Sequence, residues 1–227
     1  MTALRLPVPA AVEMGLEAGG LGLAVRGLRW DWTGSDLAML LLHAVGADLD
    51  ELRWLADRMV PAGVSVLSID LPGHGLSDGA SLVPAQGSKA ICAALAALGR
   101  DAAGVAAVLA QGQSAGLLLQ TELPGRADPP VAAILLDPRP LAAGQRCAGC
   151  WRLIPKLLVV PADSKHARFA AEIVRSTNAW TLQADLHGFG GPERSEIAET
   201  QIASLVLKFA LEVAAYELAG RRAAGSA

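Results

Sequence analysis

The sequence predicts an α/β domain, a mostly parallel sheet flanked by helices on both faces. Three observations carry that prediction. Short, strand-sized apolar runs recur along the chain without internal polar alternation. A strand that reads as apolar throughout is buried on both faces, as strands of parallel sheets are. Longer stretches lie between them, with apolar residues three and four apart, the mark of a helix with one buried face. Regular alternation of the two is the order of an α/β chain. The loops after the runs are rich in Gly, Pro, Asp and Ser, and ligands of such folds bind outside the carboxyl ends of the strands.

Taken in order, Leu21–Trp32 alternates loosely and ends in Thr33-Gly34-Ser35, so it reads as one or two antiparallel edge strands. Ala38–His43 is the first apolar run. Asp48–Met59 comes next as a helix with Leu49, Leu52, Leu55, Ala56 and Met59 on one face, Asp48 and Glu51 as a capping box, and Pro61 and Gly63 as the stop. Val64–Ile69 is the second run and Ser88–Leu98 an Ala-rich helix. Val105–Ala110 is the third run, succeeded by a Gly-flanked turn and a helix over Ala115–Leu123. Val131–Leu136 and Leu157–Val160 are the fourth and fifth runs. Helix Lys165–Val174 leads to a weak strand, Ala179–Gln183. A terminal helix over about Glu193–Leu218 carries Ile202, Leu205, Val206, Phe209, Val213 and Tyr216 on its apolar face.

Composition narrows the function classes. The 227 residues are 52% hydrophobic and 18% charged, which excludes a disordered tail. Net charge is −3 with no basic stripe, so no nucleic-acid partner is expected. No apolar stretch reaches the length of a membrane span, and Met1–Gly22 lacks the plan of a signal peptide. Three cysteines are too few and too odd for a disulfide scaffold. A cytoplasmic, single-domain protein over 1–227, with its core at about 21–216, is the expectation. The oligomeric state is not readable.

The chemistry concentrates after the third run. Gly112-Gln113-Ser114-Ala115-Gly116 is a G-x-S-x-G between a strand and a helix, the setting of a nucleophilic serine raised on a sharp turn. A serine needs a base, and a base needs an orienting carboxylate. His187 lies just after the last weak strand and is the expected base. His43 and His74 read as residues that order their loops, and His166 as solvated. Asp163, after the fifth run, is the expected acid; Asp137, after the fourth, is the alternative, and either could merely cap the adjoining helix or turn. The oxyanion hole is expected from the N–H groups of Ala115 and Val45.

Three segments carry a resemblance: Leu40–Gly46, Ser68–Asp78 with its Asp70-Leu71-Pro72-Gly73-His74-Gly75-Leu76-Ser77 core, and Gly112–Gly116. Over roughly Leu21 to Tyr216 the chain resembles the α/β-hydrolase superfamily. That resemblance implies Ser–Asp–His hydrolysis, mostly of esters, with no metal or organic cofactor. The chain departs from the family in Ala44, where a glycine is usual after the histidine, and in Pro161-Ala162-Asp163-Ser164. It also departs in having only Pro138–Lys156 in place of a cap. The expected function is a small serine carboxylesterase acting on short acyl esters through an acyl-enzyme. A thioesterase or acyltransferase on the same triad, or a silent scaffold that binds a ligand or partner, are the alternatives. Cys147-Ala148-Gly149-Cys150 reads as incidental, Cys92 as core, and Trp151 as either pocket wall or loop packing.

Overall fold

The computed structural model describes residues 6–18, 20–81, 83–101, 104–123, 129–142, 145, 147–161, 164–177, 179–182 and 196–225. Among the described residues, eight strands form one sheet in the order β1-β2-β4-β3-β5-β6-β7-β8. They are β1 (Ala10–Ala18), β2 (Leu21–Trp30), β3 (Leu37–Leu42), β4 (Ser65–Ile69), β5 (Val105–Gln111), β6 (Ala132–Leu136), β7 (Lys156–Val159) and β8 (Ala179–Leu182). β1 pairs antiparallel with β2 and β2 antiparallel with β4; every later pairing is parallel. The helices are α1 (Arg53–Met59), α2 (Pro84–Asp101), α3 (Gln113–Gln120), α4 (Ala167–Ser176) and α5 (Glu196–Gly225).

The apolar runs became central strands because both of their faces are covered. Leu37, Met39 and Leu41 of β3 point into one core with α1 and α5, while Ala38, Leu40 and Leu42 point into the other with α2, α3 and α4. Each fully buried leucine contributes about 1.5–3 kcal/mol relative to exposure. Those contacts hold the carboxyl ends of β3 and β5 side by side. No helix among the described residues is long and apolar enough to cross a membrane.

Several boundaries differ from expectation. The apolar pattern does not predict β1, yet it pairs with β2 along its whole length; its Val12, Met14 and Leu16 pack towards α2 while Glu13 and Glu17 face outward. The helix expected from Asp48 begins as a 3-10 turn, Leu49–Leu52, before α1. Asp48 Oδ1 accepts the N–H of Asp50, two residues on, at 3.0 Å. Glu51 turns to the neighbouring loop and accepts the Ala44 N–H at 2.7 Å. α2 begins earlier, at Pro84, because a proline at the first helical position loses no hydrogen bond. α3 starts two residues early and stops at Gln120, where Thr121 turns extended. Tyr216 is 84% exposed rather than on the buried face of α5, since the helix runs on past the sheet it covers.

Candidate functional site

β3 is flanked by β4 on one side and β5 on the other, so successive connections leave it in opposite directions. Such a switch point opens a crevice outside the strand carboxyl ends. Three segments fill its rim: residues 43–46 after β3, 70–78 after β4, and the turn after β5.

Two buried imidazoles fasten the first two segments. The His43 ring is fully buried; its Nδ1 meets the Ala44 carbonyl at 2.7 Å, and its Nε2 accepts the Leu71 N–H at 3.0 Å. Those partners assign the proton to Nδ1 and make the ring neutral. His74 repeats the arrangement, with Nδ1 on the Pro72 carbonyl at 3.1 Å and Nε2 accepting the Gly46 N–H at 3.1 Å. The rings meet edge to face with centroids 5.0 Å apart. Burial, with a smaller contribution from His74, lowers the His43 pKa below its ordinary value. Asp70 fixes the second segment, accepting the N–H groups of Leu49 at 2.8 Å and Leu76 at 2.9 Å. The expectation that His43 and His74 order loops agrees with these contacts.

The turn after β5 departs from the register of its motif. β5 runs through Gln111, and the Gly112 N–H still donates to the Leu136 carbonyl of β6 at 2.9 Å. Gly112 then takes φ 60°, ψ −130°, and α3 begins at Gln113. The nucleophile of a strand–turn–helix elbow is the residue on the strained turn itself, whose side chain projects above the sheet. Here that residue is Gly112. Ser114 is the second residue of α3; it is fully buried, and its hydroxyl donates to the His43 carbonyl at 2.5 Å. The expectation that the Ser114 hydroxyl projects above the sheet differs from this placement, inside α3 and buried. The physical reason is a competition for one strained position. A non-glycine residue in a sparsely populated backbone region costs about 1–3 kcal/mol, and glycine does not.

The neighbours fit this register. A Cβ on Gly112 would lie 3.3 Å from the Ala44 Cβ, so the Ala44 methyl fills the space over the turn. A Cβ on Gly116 would lie 2.4 Å from the Arg139 carbonyl oxygen, which is why α3 can pass beneath the segment after β6. The Ala115 N–H donates to the Gly112 carbonyl at 3.2 Å, so it is not the free oxyanion donor expected of it. The amide next after the turn residue belongs to Gln113. The Val45 N–H has no acceptor among the described residues, and Val45 borders a small apolar cleft with Leu71, Pro72, Val83, Leu117 and Leu141.

Asp137 follows β6 at φ 43°, the single positive-φ non-glycine residue among those described. Its carboxylate is committed: Arg139 donates to Oδ2 through Nε at 3.0 Å and Nη2 at 2.8 Å, and Ser164 Oγ donates to Oδ1 at 2.7 Å. It orders a turn. The expected acid Asp163 and base His187 lie outside the described residues. Between β6 and β7 the described residues hold one 3-10 turn, Gly149–Trp151. Trp151 is fully buried and donates from Nε1 to the Thr121 carbonyl at 2.8 Å, so it packs the loop down. Cys92 is half-buried rather than core.

Glu51 and Gln111 belong to the rim, although the sequence pattern does not mark them as site residues. Glu51 accepts from Ala44 with one oxygen and from Gln111 Nε2, at 3.2 Å, with the other. Gln111 is 7% exposed and its Oε1 has no partner among the described residues. The signal in the sequence is a polar glutamine closing an otherwise apolar run.

No family model matches the chain, and no curated protein matches it. Solved structures do. An esterase of Pyrococcus furiosus, Pf2001, is 15% identical, with 89% of this chain and 90% of that one covered at a TM-score of 0.67. Est1E of Butyrivibrio proteoclasticus, solved with ferulic acid bound, is 13% identical over 89% of this chain and 99% of that one, at 0.66. A dienelactone hydrolase of Anabaena variabilis is 15% identical over 88% and 96%, at 0.62. The strand order, the switch-point rim and these likenesses agree, and the chain has the fold of the α/β-hydrolase superfamily.

Proposed function

We propose that this chain is an α/β-hydrolase-fold protein that binds a small acyl compound at the switch point without transferring the acyl group. One observation carries the reading: the strained residue of the elbow is Gly112, and no hydroxyl stands there. Acyl transfer by this architecture needs a nucleophile on that residue. Ser114 is buried in the helix with its hydroxyl donating to the His43 carbonyl, which supports a structural role for it. The rest of the rim suits binding. The Val45 N–H, and the Gln113 N–H at the first position of α3, are donors for a carbonyl or carboxylate oxygen. A small apolar cleft beside Val45 gives the bound compound an apolar wall.

The second reading is the serine carboxylesterase, with Ser114, His187 and Asp163 as its triad. The G-x-S-x-G spacing favours it, as does the description of structural neighbours as esterases. One experiment separates the two. Short-chain p-nitrophenyl esters and their acids are titrated against the protein, with thermal stabilisation and ester cleavage both measured. The binding reading expects stabilisation without turnover above the buffer rate. Turnover that Ser114→Ala abolishes would overturn it in favour of the esterase.

A further inference from the structure

The segment between β6 and β7 carries chemistry that the site above does not use. Cys147 and Cys150 are both free thiols, both half-buried, and three residues apart around one 3-10 turn. The turn is pinned from three directions. The Ala148 N–H donates to the Leu119 carbonyl at 2.7 Å, Trp151 Nε1 to the Thr121 carbonyl, and Cys150 Sγ to the same Thr121 carbonyl at 3.5 Å. Beneath it lies Lys156, the first residue of β7, with 1% of its surface exposed. Its ammonium donates to the Trp151 carbonyl and, at 2.6 Å, to the Ile154 carbonyl. No carboxylate pairs with it among the described residues. A buried ammonium without a counter-ion is costly, and its pKa is held down to about 8 by that burial. The charges that favour its protonated form are the two thiols, Cys147 foremost. A cavity of about 420 Å³, lined by Cys147, Gly149, Arg152, Phe169 and Glu172, opens this cluster to solvent.

We propose that Cys147 and Cys150 form a redox-active dithiol, with Lys156 as its positioning cation and a low-molecular-weight disulfide as its oxidant. The Cys147 thiolate attacks one sulfur of the small disulfide from the cavity. The S–S bond breaks and one thiolate leaves, taking a proton from solvent. The Cys150 thiolate then attacks Cys147 Sγ in the mixed disulfide and expels the second thiol. Two protein thiols and one small disulfide become one protein disulfide and two small thiols, so electrons and protons balance. The direction of attack is set by access, since Cys147 borders the cavity and Cys150 faces Thr121. Burial pushes both thiols up from their ordinary range; at Cys147 the Ser176 hydrogen bond and then Lys156 act against this while Glu172 adds to it, and at Cys150 the Leu123 backbone acts against it while Glu122 adds to it. Thiolate is the reacting form, so oxidation accelerates as pH rises through the neutral range.

The test uses the full chain with Cys92→Ser, so that only the pair reports. The protein is incubated with oxidised glutathione, and intact mass is recorded over time. The expected product has lost two hydrogens and carries no adduct. Cys150→Ser should trap a stable glutathione adduct on Cys147, while Cys147→Ser should form one at least about tenfold more slowly. Lys156→Met should slow the first step most below pH 8, where the native lysine is charged. Should that variant not fold, the pH dependence of the native rate serves the same purpose, because each unit of thiol pKa is a tenfold change in thiolate. A folded protein that keeps both thiols under excess oxidant would overturn the proposal. So would equal adduct formation on the two single variants.

Discussion

The loop after β4 and the turn after β5 stand on the same rim, and both resemble hydrolase segments in sequence. The first is built as its residues imply. Asp70, His74 and Gly75 each do a job that their type dictates, down to Gly75, where a Cβ would strike the Asp70 carboxylate at 2.1 Å. The second has its motif in one register and its elbow in another. The difference teaches that a motif is a spacing, whereas an elbow is a backbone conformation. Two residues in Gly112–Gly116 could have met the strained geometry, and the one without a Cβ took it. Ser114 was left two residues inside α3, where its hydroxyl became structural.

The largest effect should come from breaking the better-built region. His43→Leu removes the acceptor for the buried Leu71 N–H, leaving it unpaired, and takes one of two donors from the Ala44 carbonyl, which keeps the Ala47 N–H at 3.1 Å. We expect a loss of up to about 3 kcal/mol in urea unfolding, from the desolvation cost of that one group. The same residue predicts a pH dependence. Its folded-state pKa is lowered, so the unfolded chain takes up the proton first as pH falls. The contribution is fully present above the unfolded value of about 6.5 and is lost as pH drops towards the folded one. The native protein should therefore lose stability as pH falls below about 6.5, with a steeper slope than His43→Leu. A parallel pair of curves would contradict the neutral, doubly bonded ring.

Gly112→Ala comes next, at about 2 kcal/mol, since it places a Cβ both in a strained backbone region and against Ala44. Ala44→Gly alone should cost little, and combined with Gly112→Ala it should recover part of that loss. The two changes share a contact and should not add. A Gly112→Ala variant as stable as the native chain would mean that residue 112 does not hold the elbow.

Most of this architecture is legible in the sequence, because strands buried on both faces must be apolar throughout. Leu37–Leu42 and Ala132–Leu136 stand out in that way. β1 does not, because it covers one face only and carries Glu13 and Glu17 on the other. The rim histidines are legible from their turn-rich surroundings. The elbow is not, because Gly112 and Ser114 both satisfy a local pattern, and the choice rests on where β5 ends. That end is set by pairing with β6 through Gln111↔Leu136, a contact between residues far apart in the chain. Glu51 is hidden for a similar reason: its position suits a capping box, and the approach of Ala44 and Gln111 gives it other partners.

A smaller effect separates structure from catalysis at Ser114 itself. Ser114→Ala removes a buried hydroxyl from the His43 carbonyl and should cost about 1–2 kcal/mol of stability. A nucleophile held on a strained turn would show the opposite, no loss or a gain on substitution. Thermal and urea unfolding of this single variant distinguish the two.

The central claim is that the elbow presents Gly112 and not Ser114. Its most direct test is reaction of the native protein with a fluorophosphonate at neutral pH, read by intact mass and peptide mapping. Such a probe bonds to a serine that is both exposed and activated. We expect the native protein to keep its unmodified mass under conditions that label a serine esterase completely. A stoichiometric adduct on Ser114, absent from Ser114→Ala, would contradict the claim.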